Sequence, residues 1–305
     1  FPCAQNDQQP FDQEIVNRML PVDTYIGGTE HTYGHLLYSR FDCHALYKAG
    51  LIGFKEPFKK LVHQGVITHN GSRMSKSRGN VVNPEPFIEQ YGSDVFRMYL
   101  MFMGDYAIGG DWNDGGITGI ERVVNRIWRL ALRADVNASV EEPIPEKIQR
   151  ALHRMTECID RGVSQFKFNT AIAALMTCVN EYYAWEVKPS EAGAFTASLK
   201  HFALAAAPLA PHLFCEIWER LGEPGNLFDC SYPVPDPKWL LEDTVDYVLQ
   251  INGKVRGHFP LPRGLTRDEI ISRMHEDATY RKLTRGNTIL KEVIVPDRLV
   301  NVVVR

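Results

Sequence analysis

Several easily recognised features are absent from this sequence. None of its 305 residues lies in an apolar run long enough to cross a bilayer: the longest, 202–211, is interrupted by Pro208 and Pro211, whereas a spanning helix takes about 20 apolar residues. No charged-then-apolar leader opens the chain, so the expectation is a cytoplasmic address with no membrane partner. The six cysteines, at 3, 43, 158, 178, 215 and 230, never approach Cys-x-x-Cys spacing, and a chain of this size does not need covalent staples, which leaves reduced thiols. A net charge of only −3 excludes a uniformly basic nucleic-acid binder. There is no internal repeat and no low-complexity tract. The chain opens on Phe1-Pro2-Cys3 without a methionine, which predicts a start in mid-protein.

What is there is ordinary in bulk and uneven in detail. With 44% hydrophobic and 23% charged residues the composition is that of a globular protein, and its length predicts two or three packed units. Charge is concentrated locally. Residues 55–78 hold six basic side chains (Lys55, Lys59, Lys60, Arg73, Lys76, Arg78) against one acidic (Glu56), a local +5, and residues 245–305 hold 11 basic against 7 acidic, a local +4. Both stretches suit phosphate partners.

Hydrophobic periodicity sets out the rest. Val22 to Ile26 reads as a short strand that breaks at Gly27-Gly28, and 30–46 as a helix through Leu36, Leu37, Phe41 and Leu46. Strand, glycine turn, helix is a unit of a nucleotide fold. One further strand fits around Leu61-Val62 and Val66-Ile67, ahead of a polar loop over 68–80. Asn83 caps a short helix that Gly92 closes. Ser93 and Asp94 open another, with Val95, Phe96, Met98, Tyr99 and Phe102 on its buried face. A 3.6-residue pattern then dominates over 120–134, 146–165, 169–185 and 195–221, which is a helical bundle. Pro233, Pro235 and Pro237 mark a linker. Beyond it a hairpin spans 246–259 across Asn252-Gly253, a helix over 266–281 starts with Thr266 and Glu269 as a capping box, and strands follow at 292–296 and 299–304.

The segment Gly71-Ser72-Arg73-Met74-Ser75-Lys76-Ser77-Arg78-Gly79-Asn80 crowds three cations and three hydroxyls between two glycines. Lysine makes a point-charge contact with a polyphosphate, hydroxyls and loop amides add donors, and glycine hinges allow closure. A solvated basic surface loop has the same composition. His31 and His35 stand four apart, a spacing that can bring two imidazoles to one metal, but no third ligand accompanies them and no metal is expected. Arg122, Arg126, Arg129 and Arg133 share one helix face. Such a stripe suits an RNA backbone and is equally the pattern of a solvated face. Trp112 and Trp128 fit a packed core better than base stacking.

Arg73-Met74-Ser75-Lys76-Ser77 resembles the Lys-Met-Ser-Lys-Ser signature of class I aminoacyl-tRNA synthetases, with arginine in first place. Tyr25-Ile26-Gly27-Gly28-Thr29-Glu30-His31 and Leu36-Leu37-Tyr38-Ser39-Arg40-Phe41 resemble the adenosine-side turn and helix of the leucyl family. Phe168-Asn169-Thr170-Ala171-Ile172-Ala173 and Ala210-Pro211-His212-Leu213 resemble its anticodon-binding bundle, and Asn252-Gly253-Lys254-Val255-Arg256-Gly257 with Leu299-Val300-Asn301-Val302-Val303-Val304 the C-terminal domain of bacterial members.

The resemblance implies α/β plus all-α architecture. Residues 1–70 would be the C-terminal half of a Rossmann-type catalytic domain, 71–119 the lysine loop with connecting helices, 120–240 the anticodon-binding bundle, and 241–305 a small α/β tRNA-binding domain. It implies ATP-dependent attachment of leucine to leucine tRNA through leucyl-adenylate by a protein monomeric at full length, with Mg2+ arriving on ATP and held by no dedicated site here. Lys76, with Arg73, Ser75 and Ser77, would serve the pyrophosphate leaving group. Gly27, Gly28, Glu30, His31, Val66, Ile67 and Met74 would meet ATP, and Arg122, Arg126, Arg129, Arg133, Lys254, Arg256, Arg281, Lys282 and Arg285 would meet tRNA phosphates. The family's His-Ile-Gly-His signature, inserted editing domain and leucine pocket are not found in these residues. This chain alone is therefore expected to be inactive, with an uncovered sheet edge in its first 67 residues that is mobile or dimerising. A non-catalytic tRNA-binding module is the alternative.

Overall fold

The computed structural model describes residues 3–240, 244–262, 265–286, 288–295 and 298–305. The chain divides into two compact units, 1–235 and 236–305.

The first unit opens with α1 (Gln13–Met19), whose free first-turn amide at Ile15 is accepted by the Asp12 carboxylate at 3.0 Å. β1 (Tyr25–Gly27) and α2 (His35–Lys48) follow, and β1 pairs in parallel with β2 (Leu61–His63). The helix implied over 30–46 starts only at His35. Gly34 adopts a non-helical ψ of −115° and Thr29–Thr32 form a separate 3-10 turn. Arg40 on α2 donates two 2.8 Å hydrogen bonds to Glu56, and with this guanidinium beside it the Glu56 carboxyl is lowered to about 2. Among the described residues β2 is the only neighbour of β1. Parallel sheets normally bury both faces, yet Ile26 on β1 is 48% exposed and Phe41 on α2 72%. The other edge of β1 pairs with no strand among the described residues.

The next strand belongs to a different sheet. β3 (Val66–His69) lies antiparallel to β4 (Ser72–Arg73), and α3 (Glu85–Tyr91) and α4 (Ser93–Phe102) lead to β5 (Gly109–Trp112), which pairs in parallel with β3. The single strand implied around 61–67 is thus two strands. Between them the Gln64 amide donates to Gly27 O at 3.3 Å while the Gly65 amide donates to Tyr106 O at 2.7 Å; two successive backbone donors serve different sheets. The N-cap of α3 is Pro84, which makes no side-chain cap, rather than Asn83; Asn83, one residue earlier, accepts from the Glu85 amide at 3.3 Å, and Gly92, at φ 84°, closes the helix. α4 buries Val95, Met98 and Tyr99, but Phe102, its last residue, is exposed, because no further turn of helix covers it.

The bundle comprises α5 (Ile117–Leu132), α6 (Glu146–Ser164), α7 (Phe168–Ala184), α8 (Ala192–Ala206) and α9 (Pro211–Arg220). The helix implied over 195–221 is broken into α8 and α9. Pro208 and Pro211 lack the amides a continuous helix needs, and Pro211 is tolerated as the first residue of α9. A single apolar core runs from Val95 to Leu227, with Tyr182 edge-on to Phe202 at 5.4 Å and Phe202 to Phe214 at 5.8 Å. Trp112 is buried in it, edge-on to Phe87 and Tyr99 at 4.8 and 5.1 Å. Trp128 is half-buried against the same core.

The second unit contains α10 (Pro237–Leu240), β6 (Thr244–Ile251), β7 (Lys254–Pro262), α11 (Arg267–Glu276), α12 (Ala278–Thr284), β8 (Ile289–Val295) and β9 (Leu299–Val304). Strand order is β7-β6-β9-β8, with a parallel central pair and antiparallel outer pairs. Asn252 and Gly253 make the two-residue turn at φ 48° and 78°. The capping box is formed, Thr266 and Glu269 each accepting from the other's amide. The helix implied over 266–281 breaks at Asp277, which turns extended and accepts from the Tyr280 amide at 3.1 Å, restarting the chain as α12. β8 begins at Ile289, earlier than the sequence implies; Pro296, the implied end of that strand, lies outside the described residues. Tyr247, Leu249, Phe259, Leu261, Val300 and Val302 bury one face of the sheet with Ile270 and Met274.

Asp94 ties α4 to α9. Its carboxylate is 8% exposed as a residue and accepts from the Leu213 amide at 2.7 Å and faces His212 Nδ1 at 2.9 Å, capping the first turn of α9 from another helix. Asp94→Ala should lower stability by about 1.5–3 kcal/mol, or roughly 5–10 °C in Tm, with Asp94→Asn losing less. A thermal melt of Asp94→Ala superimposable on the parent would show that this cap holds nothing.

Candidate functional site

A cavity of about 490 Å3 opens where β1 ends and the β3–β5 pair begins. Of the residues singled out from sequence, Gly28, Glu30, Val66, Ile67 and Arg73 line it, and Gly104, Asp105, Tyr106 and Phe168 form another wall. Gly27, His31, Met74, Ser75, Lys76 and Ser77 are not in the lining. Glu30 folds back over the turn so closely that a Cβ on residue 28 would sit 2.4 Å from its carboxylate, so any side chain there would displace the Glu30 carboxylate. Gly109, at φ 90°, meets β3 where a Cβ would stand 2.2 Å from Val66 O. Glycine at 109 therefore sets how near β5 can come to the Val66 backbone.

The cationic loop hangs from the far end of β3 and is fastened at two places. At its base Asp111 on β5 accepts from the Thr68 hydroxyl and from the Gly71 amide at 2.9 Å. These two donors, the hydroxyl foremost, hold the Asp111 carboxyl below the usual carboxylate range. Across its neck Asn80 accepts from the Ser75 amide at 2.9 Å and donates to Arg73 O at 3.2 Å. Inside the ring so closed, Ser75 caps a 3-10 turn over Lys76–Arg78 by accepting from the Arg78 amide at 3.3 Å, with the Ser75 and Ser77 hydroxyls 3.0 Å apart, and Gly79 ends the turn at φ 67°. Met74 packs half-buried against the bundle core. Lys76 is exposed and has no ion-pair partner among the described residues. Arg73 reaches back instead, its guanidinium 4.0 Å from the Glu30 carboxylate.

His31 and His35 do not converge. His35 Nδ1 lies 2.8 Å from the Tyr25 hydroxyl, and among the described residues no group of three His, Cys, Asp or Glu is placed to hold a metal. The arginine stripe on α5 divides in two. Arg126 donates to Asn180 Oδ1 at 2.9 Å and lies 4.5 Å over the Tyr183 ring, and Arg133 lies 4.9 Å from the Phe195 ring. Arg122, Arg129 and, beside that ring, Arg133 are exposed. In the second unit Lys254, Arg256, Arg281, Lys282 and Arg285 are all exposed, Arg281 donating to His275 O at 2.7 Å.

Sequence reasoning does not find Asn80, Asp111, Asp105 or Lys167. Each acts through a partner distant in sequence or through backbone atoms, and neither leaves a local pattern. An asparagine directly after the αL glycine of a polar loop is the one available signal, since its side chain can pair with nearby backbone.

A parallel-stranded nucleotide-fold segment, a cationic loop hung from it and a helical bundle packed directly behind are together the architecture of a class I aminoacyl-tRNA synthetase. Comparison agrees: residues 2–112 match the family described as tRNA synthetases class I (I, L, M and V), and residues 146–271 match the anticodon-binding domain of tRNA ligase. The chain is 41% identical to the leucine-tRNA ligase of Caldanaerobacter subterraneus over 100% of its own length and 38% of that protein's. It is 37% identical to the leucine-tRNA ligase of Dehalococcoides mccartyi, over 98% of this chain and 37% of that one. A crystal structure of an Agrobacterium radiobacter LeuRS in a ternary complex with tRNA and LeuAMS superposes with a TM-score of 0.79 at 30% identity, covering 97% of this chain and 40% of the other. The chain belongs to the leucine-tRNA ligase family, and it spans well under half the length of these relatives. No helix among the described residues is long and apolar enough to cross a membrane.

Asn80→Ala removes both contacts across the loop neck. Amide exchange over 74–79 should quicken by roughly tenfold or more, the bonds being worth about 1 kcal/mol each, while exchange in α6 and α7 stays as it was. Equal acceleration in the bundle would mean that Asn80 supports the fold rather than the loop.

Proposed function

We propose that this chain supplies the mobile lysine loop and tRNA-binding parts of an enzyme that attaches leucine to leucine tRNA at the expense of ATP. The supporting observation is the loop itself: a lysine with no ion-pair partner among the described residues, on a short stretch of backbone fastened at neck and base beside a cavity that Glu30 and Arg73 line. The divisions 1–70, 71–119, 120–240 and 241–305 belong to the same proposal as catalytic half, loop with connecting helices, bundle and C-terminal tRNA-binding unit.

In this reading the Glu30 carboxylate accepts from the ATP ribose hydroxyls, and the Val66 and Ile67 backbone meets adenine beside the glycines of β5. A leucine carboxylate oxygen attacks the α-phosphorus, an oxygen–phosphorus bond of a mixed anhydride forms, and the bond from the α-phosphorus to the α,β-bridging oxygen breaks to release pyrophosphate. Negative charge grows on the departing diphosphate. A cation that arrives only then stabilises the transition state more than the ground state, which is the role of Lys76. Arg73, paired with Glu30 before ATP binds, must give up that contact when the ribose takes the carboxylate, freeing a second cation for the phosphates. Ser75 and Ser77 shape the turn that presents Lys76, and Met74 seats it against the bundle; Gly27 and His31 support the Glu30 turn. Mg2+ enters with ATP and neutralises polyphosphate charge, and no residue here is assigned to it.

For tRNA, Arg122, Arg129 and Arg133 are the exposed members of the stripe, with Lys254, Arg256, Arg281, Lys282 and Arg285 in the second unit. Contacts of this kind read the phosphate backbone rather than bases.

In the full-length enzyme, Lys76→Ala should depress kcat of leucine-dependent ATP–pyrophosphate exchange by about 10²- to 10³-fold, with a much smaller change in ATP affinity; an unaltered kcat would refute the lysine assignment. Arg122→Ala and Arg129→Ala should each weaken tRNA binding evenly and reduce the slope of log K against log salt by about 1. Arg126→Ala should instead act chiefly on stability, and a salt slope that falls as far for Arg126→Ala would overturn this division of the stripe.

A further inference from the structure

Phe168, at the turn between α6 and α7 of the bundle, lines the same cavity as Glu30. That turn is a Schellman-type helix ending: the Phe166 amide donates to Val163 O at 3.3 Å and the Lys167 amide to Gly162 O at 2.7 Å. The residue at its left-handed position is ordinarily glycine, yet here it is Phe166 at φ 59°. A bulky residue in that conformation costs about 1–2 kcal/mol, and such strain persists where the surroundings impose it.

The surroundings at 166 all lie next to the cavity. The Phe166 ring stands 5.2 Å from Tyr106 and 5.8 Å from Phe168, Tyr106 and Phe168 meet edge-on at 5.6 Å, and Lys60 Nζ lies 5.6 Å over Phe166. Tyr106 and Phe168 are themselves cavity lining. Beside them the Lys167 ammonium donates to the Asp105 carboxylate. Asp105 in turn builds the turn that ends in β5, its carboxylate accepting from the Ala107 amide at 3.0 Å and its carbonyl from the Gly109 amide at 2.8 Å. Gly109 is the residue paired with Val66. A continuous chain of contacts therefore runs from the α6–α7 turn to the backbone of β3.

We propose that Lys167 and Phe166 are positioning residues for the nucleotide, setting from the bundle side the width of the cavity between Val66 and Phe168. The proposal rests on the ATP reading of the cavity given above. It makes the tRNA-binding bundle part of the nucleotide site itself, the two being joined by this turn as well as by the apolar core around Trp112.

The test uses leucine-dependent ATP–pyrophosphate exchange by the full-length enzyme carrying Lys167→Met, Lys167→Arg or Phe166→Gly. Lys167→Met should raise KM for ATP by about three- to tenfold with kcat within about twofold and KM for leucine unchanged, because the contact sets ground-state placement on the nucleotide side alone. Lys167→Arg should restore the parent value. Phe166→Gly removes the ring but relieves the left-handed strain, so its Tm should stay within a few degrees of the parent while KM for ATP still rises. That separation of stability from ATP affinity is what a purely structural turn would not produce. If KM for ATP stays at the parent value in Lys167→Met and Phe166→Gly, or rises only together with KM for leucine, the positioning role is wrong while the function stands. A parent enzyme without leucine-dependent exchange would instead overturn the function, and the positioning role with it.

Discussion

The arrangement depends on the parallel pairing of β3 with β5, from Val66 with Gly109 to His69 with Trp112. At one end of the pair, glycine backbone lies against the Val66 carbonyl at the cavity floor. At the other, β3 runs into the cationic loop while Trp112 enters the bundle core. Four consecutive backbone pairs thus register the loop, the cavity and the bundle to one another. Pairing across 43 residues is costly in chain entropy. It is secured by burial of Trp112 among Phe87, Phe96 and Tyr99, and by the Asp111 carboxylate, which bridges the strand and the loop base.

The loop combines firmness and freedom in a specific way. Asn80 and Asp111 fasten its neck and base through hydrogen bonds to backbone amides, while Lys76 has no partner of opposite charge among the described residues. A lysine already paired in the resting protein would have to break that pair before meeting a phosphate. Arg73 is in that position against Glu30, though both groups are largely exposed, where ion pairs are weak and readily exchanged. Two cations of the same short segment therefore differ in what must happen before they can act.

Features written in neighbouring residues were legible in the sequence. The Asn252-Gly253 hairpin, the Thr266–Glu269 capping box and the amphipathic bundle helices all depend on short-range pattern, and all are present. Breaks set by a single backbone donor or dihedral were not. The switch between sheets at Gln64-Gly65 rests on two amides finding acceptors at Gly27 and Tyr106, and the late start of α2 rests on one ψ angle at Gly34. Similarly, the spacing of Arg122, Arg126, Arg129 and Arg133 identifies a common face, yet only the neighbouring helices decide that Arg126 and Arg133 lie against Tyr183 and Phe195. Asp94 looks like a helix-opening acid of α4, and becomes the cap of α9 only once the two helices meet.

Phe166 shows how selection for robustness and selection for ligand placement can diverge at a single backbone position. A designer scoring thermal endurance alone would put glycine at 166, as the ordinary occupant of such a helix ending. A melting experiment would register little change. It would nonetheless leave Tyr106 and Phe168 without the ring that stands against them, a loss that thermal endurance does not record.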